Sequence, residues 1–388
     1  MSDPAKVFFR DASYDGQLAR TLAAATVDAA DLGEALATAR RVGRPSAAAW
    51  HRAWSQTAAV AERAGEAAQD DGDRVSARHA WLRASEYHRQ AYYFIRSDLD
   101  DPRLQDSYRR HVDTFQAATA LMDRPVTEVR IPYEETTLRG YLGAPDRSGE
   151  RRPTLLFPCG YDSTAEAGWA NVPPAVQRGY NVLVFEGPGQ GEALFSQRLY
   201  FRADYEAVLA PVLDWLLARP EVDGARVALI GRSFAGYLAP RGAAFETRLA
   251  ALVCDPAQPD MGARLPRGVI GKVAPAVVRA QSRINADRRE FFGARMAAHG
   301  VTSIDEYFAE LRRYTMLAHA GGISCPTLIV EAEHDFAGGS GRQLLDALRG
   351  PADLVNLTEA QGADGHCGGL GQELWAEAVY GWLRAALA

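Results

Sequence analysis

Val227-Ala-Leu-Ile230 runs straight into Gly231-Arg232-Ser233-Phe234-Ala235-Gly236. The first four residues predict the end of a short buried strand, and the pattern over Phe234–Phe245 predicts a helix. The serine therefore falls on the turn between the two. A nucleophile elbow of the form G-x-S-x-G needs small residues beside its serine, because that serine occupies a tight, strained strand-to-helix turn. Here the fifth position is Ala235, a departure that stays small. A serine before a helix also serves as an N-cap. The apolar strand in front of it favours the nucleophile.

Working outward, short β-rich runs alternate with helical patterns from Val126 onward. Val126–Tyr133 and Thr137–Leu142 read as a strand pair. Thr154–Phe157, Asn181–Phe185, Arg226–Ile230, Leu249–Cys254, Thr327–Glu331 and Leu354–Leu357 read as short buried strands. Helical patterns fall at Ala165–Arg178, Ala203–Ala218, Phe234–Phe245, Gly341–Leu348 and Glu373–Leu387. This alternation predicts an α/β fold, a mostly parallel sheet with helices on both faces. It stops between Asp255 and Cys325, where helical runs at Val269–Arg283, Asp287–His299 and Ile304–Leu317 suggest a lid insertion at about 256–322 within a catalytic domain at 126–388.

Residues 1–125 differ. They are rich in Ala, Arg and Glu, and Trp81, Ala84, Tyr87, His88, Ala91 and Phe94 recur at three and four. That spacing is one face of an amphipathic helix, so a helical N-terminal extension is expected. A packing role is expected for His88. Gly72-Asp73 between two helical runs suggests a helix pair, which by itself is no repeat array.

The chain has 388 residues, 47% of them hydrophobic and 24% charged, with a net charge of −6. That balance argues against nucleic acid or an anionic membrane as partner. Cys159, Cys254, Cys325 and Cys367 form no C-x-x-C pair, so neither a zinc ribbon nor a redox motif is expected. The first three sit beside strands and read as small apolar fillers. Neither a signal peptide nor a run of about 18 apolar residues is evident. A cytoplasmic protein without metal or cofactor is the expectation.

A serine needs a base, and the base needs an orienting acid. With this elbow, acid and then histidine follow the serine along the chain. The strand Pro326-Thr-Leu-Ile-Val-Glu331 leads into Ala332-Glu333-His334-Asp335, placing Asp335 beyond the strand end; Glu331 and Glu333 are its rivals. His334, next to the acid in sequence, reads as structural. His366 follows the last predicted strand in the glycine-rich loop 362–369 and is the candidate base. The oxyanion needs two backbone donors. Phe234 N–H is one, and Tyr161 N–H, after the permissive Gly160, is the other. Asp162 and Asp255 are candidate substrate-binding residues, with cap or loop roles as alternatives. Glu186-Gly-Pro-Gly-Gln-Gly191 lacks the ending of a P-loop and reads as a structural turn.

Gly231-Arg-Ser-Phe-Ala-Gly-Tyr237, Gly160-Tyr-Asp-Ser-Thr164, Phe185-Glu-Gly-Pro-Gly-Gln-Gly191 and Gly365-His-Cys367 together resemble the α/β-hydrolases with a helical N-terminal extension. That group includes the fermentation–respiration switch protein, 2,6-dihydroxypseudooxynicotine hydrolase and fungal polyketide chain-shortening hydrolases. Arg83–Ala91 and Val129–Tyr133 look like theirs too. The resemblance implies a triad of Ser233, Asp335 and His366, roofed by the N-terminal helices and the insertion. It also implies that some members cleave a carbon–carbon bond beside a ketone. Ala235 and Ala332 depart from its usual glycines. The expected function is hydrolysis of such a bond, or of an ester, in a polyketide-like or aromatic small molecule. Acyl transfer or cyclisation by the same triad, and a non-catalytic regulatory or binding module, are the rival readings. A homodimer through the N-terminal helices is a further expectation.

Overall fold

A computed structural model describes residues 6–388; the first five residues of the expected N-terminal extension lie outside the described ones. The described chain divides into two compact units, one of residues 127–266 with 308–388, the other of residues 6–126 with 267–307.

The first unit is built on eight strands: β1 (Val126–Tyr133), β2 (Thr136–Gly143), β3 (Arg152–Pro158), β4 (Asn181–Phe185), β5 (Val222–Arg232), β6 (Ala251–Asp255), β7 (Thr327–Ala332) and β8 (Ala352–Leu357). They form one sheet in the order β1-β2-β4-β3-β5-β6-β7-β8. β2 lies antiparallel to β4, and every pairing from β4 through β3, β5, β6 and β7 to β8 is parallel. Every residue of β4 and β6 is buried. Parallel strands need helical crossovers that cover both faces, which is why these strands are continuous apolar runs without alternation. All eight expected strands are present; β5 starts earlier than expected, at Val222. The six parallel strands end together at Pro158, Phe185, Arg232, Asp255, Ala332 and Leu357. The loops that leave this carboxyl edge converge, as open α/β sheets require of their ligand sites.

In the second unit, the helices Ala12–Ala23, Leu32–Val42, Ala47–Asp70, Arg74–Tyr92 and Pro102–Thr119 each start behind an Asp or Ser whose side chain accepts from first-turn N–H groups. Such caps satisfy donors that the helix itself leaves orphaned. The core is aromatic: Trp50 and Trp54 lie 5.5 Å apart, Trp54 and Tyr87 5.5 Å, and Tyr14 and Phe94 4.1 Å. His88 is buried and bonded to Glu62 at 2.9 Å, a packing role. The expected insertion at 256–322 does not stay together. Its middle, carrying the helices Gly268–Ile284 and Ala286–His299, belongs to the helical unit. Polar ties hold it there: Tyr14 OH donates to Asp287 Oδ1 at 2.8 Å, and Ser97 N–H to Glu290 Oε1 at 2.9 Å. Among the described residues, no helix is long and apolar enough to cross a membrane.

Candidate active site

β5 delivers Ser233 at φ 60°, the left-handed region that a non-glycine residue enters only under constraint. Two contacts impose it. Ser233 N–H donates to the Asp255 carbonyl at 2.7 Å, and the helix Ala235–Ala243 starts at once. The close approaches fall on Gly231 and Gly236, where an added Cβ would stand 2.1 Å from Ala235 O and 1.8 Å from Pro256 O. The tolerance of Ala235 at the fifth motif position follows, because the tight backbone contact is at Gly236.

His366, on the loop after β8, places Nε2 2.8 Å from Ser233 Oγ. Its Nδ1 lies 2.8 Å from Asp335 Oδ1. The Asp335 side chain is 0% exposed, against 29% for His366, and it also accepts from Ala337 N–H at 2.8 Å and Cys367 N–H at 3.1 Å. Burial opposes charge on His366, yet the Asp335 carboxylate, hydrogen-bonded to Nδ1, favours the imidazolium, and the imidazole stands above its ordinary pKa. The rival acids are occupied elsewhere. Glu331 accepts from Gly339 and Gly341 N–H, shaping the turn after β7, and Glu333 accepts from Glu359 N–H. His334 pairs with Glu359 at 3.2 Å, outside this chain of contacts.

Gly160 lies beside the serine: a Cβ there would stand 3.1 Å from Ser233 Cβ and 3.1 Å from Arg232 O. Tyr161 follows, its ring 4.8 Å from Phe234 and 4.9 Å from Phe201. Asp162 is half-buried in the same loop. Asp255 does not line an open surface. It is 0% exposed, and its Oδ2 accepts from Arg232 Nε at 3.2 Å; burial pushes its carboxyl up and Arg232 pulls it back. Among the described residues, Asp335, His366 and Cys367 form the one group of three with ligand atoms within 4.8 Å. Each is engaged already. The Cys367 thiol, pushed up by burial, donates to the Asp255 carbonyl at 3.4 Å, a poor state for metal binding, which needs thiolate.

A hydroxyl, an imidazole and a carboxylate in one hydrogen-bonded line, beside a helix N-terminus, can activate the hydroxyl and stabilise an oxyanion. Residues 154–377, more than half of the chain, match the model of the alpha/beta hydrolase family, and residues 34–258 match that of the FrsA-like esterases. The chain belongs to the alpha/beta hydrolase family.

This alpha/beta hydrolase is 38% identical over 268 residues to the hydrolase acrC of Aspergillus aculeatus, a match that covers 64% of this chain and 62% of acrC. The chain thus spans under two thirds of that relative's length. It is 31% identical over 354 residues to the 20-hydroxy-prefusarin hydrolase FUS2 of Gibberella moniliformis, covering 85% of this chain and 84% of the relative. The solved structure of 2,6-dihydroxy-pseudo-oxynicotine hydrolase superposes with a TM-score of 0.76 at 22% identity, covering 95% of each chain, a likeness of fold. Three residues at the alpha/beta hydrolase site carry no signal in the sequence. Gln190, in the turn after β4, donates from Nε2 to the carbonyls of Cys159 and Gly160 at 2.5 and 3.1 Å while accepting from Gly187 N–H. Arg232 sits beside the serine, and Phe336 lies against His366 at 4.5 Å. Glycines at 187, 189 and 191 mark the turn in the sequence, but only the folded chain shows what Gln190 reaches.

Proposed function

We propose that this chain is a serine hydrolase that cleaves a carbon–carbon bond beside a ketone, or an ester bond, in a polyketide-like or aromatic small molecule. The observation that carries the reading is the line Ser233 Oγ–His366 Nε2–His366 Nδ1–Asp335 Oδ1, with both contacts at 2.8 Å. In it, His366 takes the proton as Ser233 Oγ adds to the carbonyl carbon, and Asp335 stabilises the imidazolium. The oxyanion is held by the N–H groups of Phe234 and Tyr161. Collapse breaks the bond to the leaving group, and His366 returns its proton to that group, an alcohol from an ester or an enol from a β-diketone. Water, deprotonated by His366, then releases the acid from the acyl-enzyme.

Two rings with exposed surface near the serine support an aromatic or conjugated substrate: half-buried Tyr161, which follows Gly160, and Phe336, 78% exposed and 4.5 Å from the His366 ring. The name of one relative supports hydrolysis of a small molecule: the FUS2 enzyme is a 20-hydroxy-prefusarin hydrolase. The test pairs a fluorophosphonate probe with a panel of aryl esters, aryl ketones and β-diketones. Labelling at Ser233, its loss in Ser233→Ala, and turnover of at least one panel member are expected. Labelling at another residue, or turnover that survives in Ser233→Ala, refutes the reading, since loss of a triad serine costs on the order of 10⁶ in rate.

A further inference from the structure

Arg232 fills the first x position of the elbow, next to the serine, and its side chain is 18% exposed. Its guanidinium spends its donors on four separate parts of the unit. Nε donates to Asp255 Oδ2 at 3.2 Å, at the end of β6, and Nη1 to Asn171 Oδ1 at 3.2 Å. Nη2 donates to the Cys367 carbonyl and to Gln372 Oε1, both at 2.9 Å. The plane also lies over the Trp375 ring at 4.1 Å. A planar fork with five N–H donors can serve so many acceptors in fixed directions; an ammonium cannot.

One of these acceptors, the Cys367 carbonyl, belongs to the loop that carries His366, and another, Gln372, opens the helix that follows it. Cys367 is held in the left-handed region at φ 53°, and each of its polar groups is tied. Its N–H goes to Asp335, its carbonyl to Arg232, and its thiol to the Asp255 carbonyl. The same Asp255 carbonyl receives Ser233 N–H. Gln372 adds a second brace, donating to the carbonyls of Cys367 and Gly369 at 3.2 and 2.8 Å. The glycine-rich loop 365–369 is thereby clamped to the residue that precedes the nucleophile.

We infer that Arg232 is a positioning residue: through the Cys367 carbonyl it sets the distance between His366 Nε2 and Ser233 Oγ, so that elbow and base move as one piece. This inference rests on the serine-hydrolase reading above. A glycine-rich loop left alone samples many conformations, and a misplacement of about 1 Å at a reacting centre costs about 10²-fold in rate.

The test compares the full chain with Arg232→Met and Arg232→Lys, reading the rate of fluorophosphonate labelling at Ser233. It also reads the far-downfield proton resonance of His366 Nδ1–H. In Arg232→Met, labelling slows about 10²-fold and the resonance disappears, while KM for a turned-over ester stays nearly constant. Arg232→Lys keeps the charge and fewer of the contacts, and regains part of the rate. If Arg232→Met fails to fold, Gln372→Ala removes the second brace from the helix Gln372–Ala386 and slows labelling about tenfold, half of the full misplacement loss on a logarithmic scale. Wild-type labelling rates with the resonance intact in the folded variants overturn the inference. An unlabelled Ser233 in the wild type refutes the hydrolase reading instead, so the two failures are told apart.

Discussion

Phe336 is 78% exposed, yet its ring centroid lies 4.5 Å from that of His366, tilted by 34°. A large aromatic side chain left in water beside a base presents a flat apolar surface to whatever approaches the serine. Replacing it by alanine is expected to lower kcat/KM for aryl substrates by about three- to tenfold relative to acetyl esters, the size of one aromatic contact. Equal losses on both substrate types would show that Phe336 merely shields the imidazole.

Asp335→Asn is expected to leave the fold intact and to reduce turnover by about 10⁴, because the imidazole loses its tautomer and its countercharge. Glu333→Gln changes only a bond to Glu359 N–H and keeps most of the activity. A crippled Glu333→Gln beside an active Asp335→Asn would name the wrong carboxylate.

The pH profile follows from His366. Its neutral form is the base, and its pKa is held above the ordinary value of 6.5 despite burial, with Asp335 favouring the charged form. Activity is therefore expected to fall as pH drops through a midpoint above 6.5, read as the acidic limb of kcat/KM. Asp335→Asn removes a carboxylate that favours the imidazolium, so in that variant the limb moves to lower pH. A wild-type midpoint below 6.5 contradicts the assignment.

Gly160→Ala places a methyl group 3.1 Å from both Arg232 O and Ser233 Cβ. The loop carrying Tyr161 N–H must retreat by some tenths of an ångström, which weakens a donor to the oxyanion. Loss of about 10²-fold in kcat is expected with KM little changed. An alanine variant with wild-type kcat would remove this loop from the oxyanion site.

Glu86 tests the helical unit. Burial pushes its carboxyl up, but Arg89, bonded at 2.7 Å through two donors, prevails and pulls it down to about 2. Glu86→Ala leaves the Arg89 guanidinium buried without its countercharge, at an expected cost of about 3–5 kcal/mol, seen as a lowered Tm. Because the folded pKa lies below the usual 4.5, the pair's contribution is complete above that pH and fades as pH falls toward 2. A variant as stable as wild type at neutral pH would show the pair to be dispensable.

Much of this was legible from contiguous residues. The elbow is a local object: an apolar strand, a serine, and small neighbours where only small residues fit, so Gly231–Gly236 announces itself. The strands and the helix through Ala84, Tyr87 and Ala91 are legible for the same reason, since burial of one face imposes a period on neighbouring residues. His366 and Asp335 could be named because both follow strands at the carboxyl edge. Other features have no local signature. Asp255 ends β6, as a pocket residue would, but the parallel register sets it opposite Arg232, and the carboxylate turns to that cation. The acceptors of Arg232 come from residues 171, 255, 367 and 372. No spacing in the chain relates them, because sheet order brings them together. The segment 256–322 reads as one insertion, yet Asp287 and Glu290 accept from Tyr14 and Ser97 of the helical N-terminal region. Periodicity reports which face of an element is buried; the partner it is buried against depends on how distant elements stack.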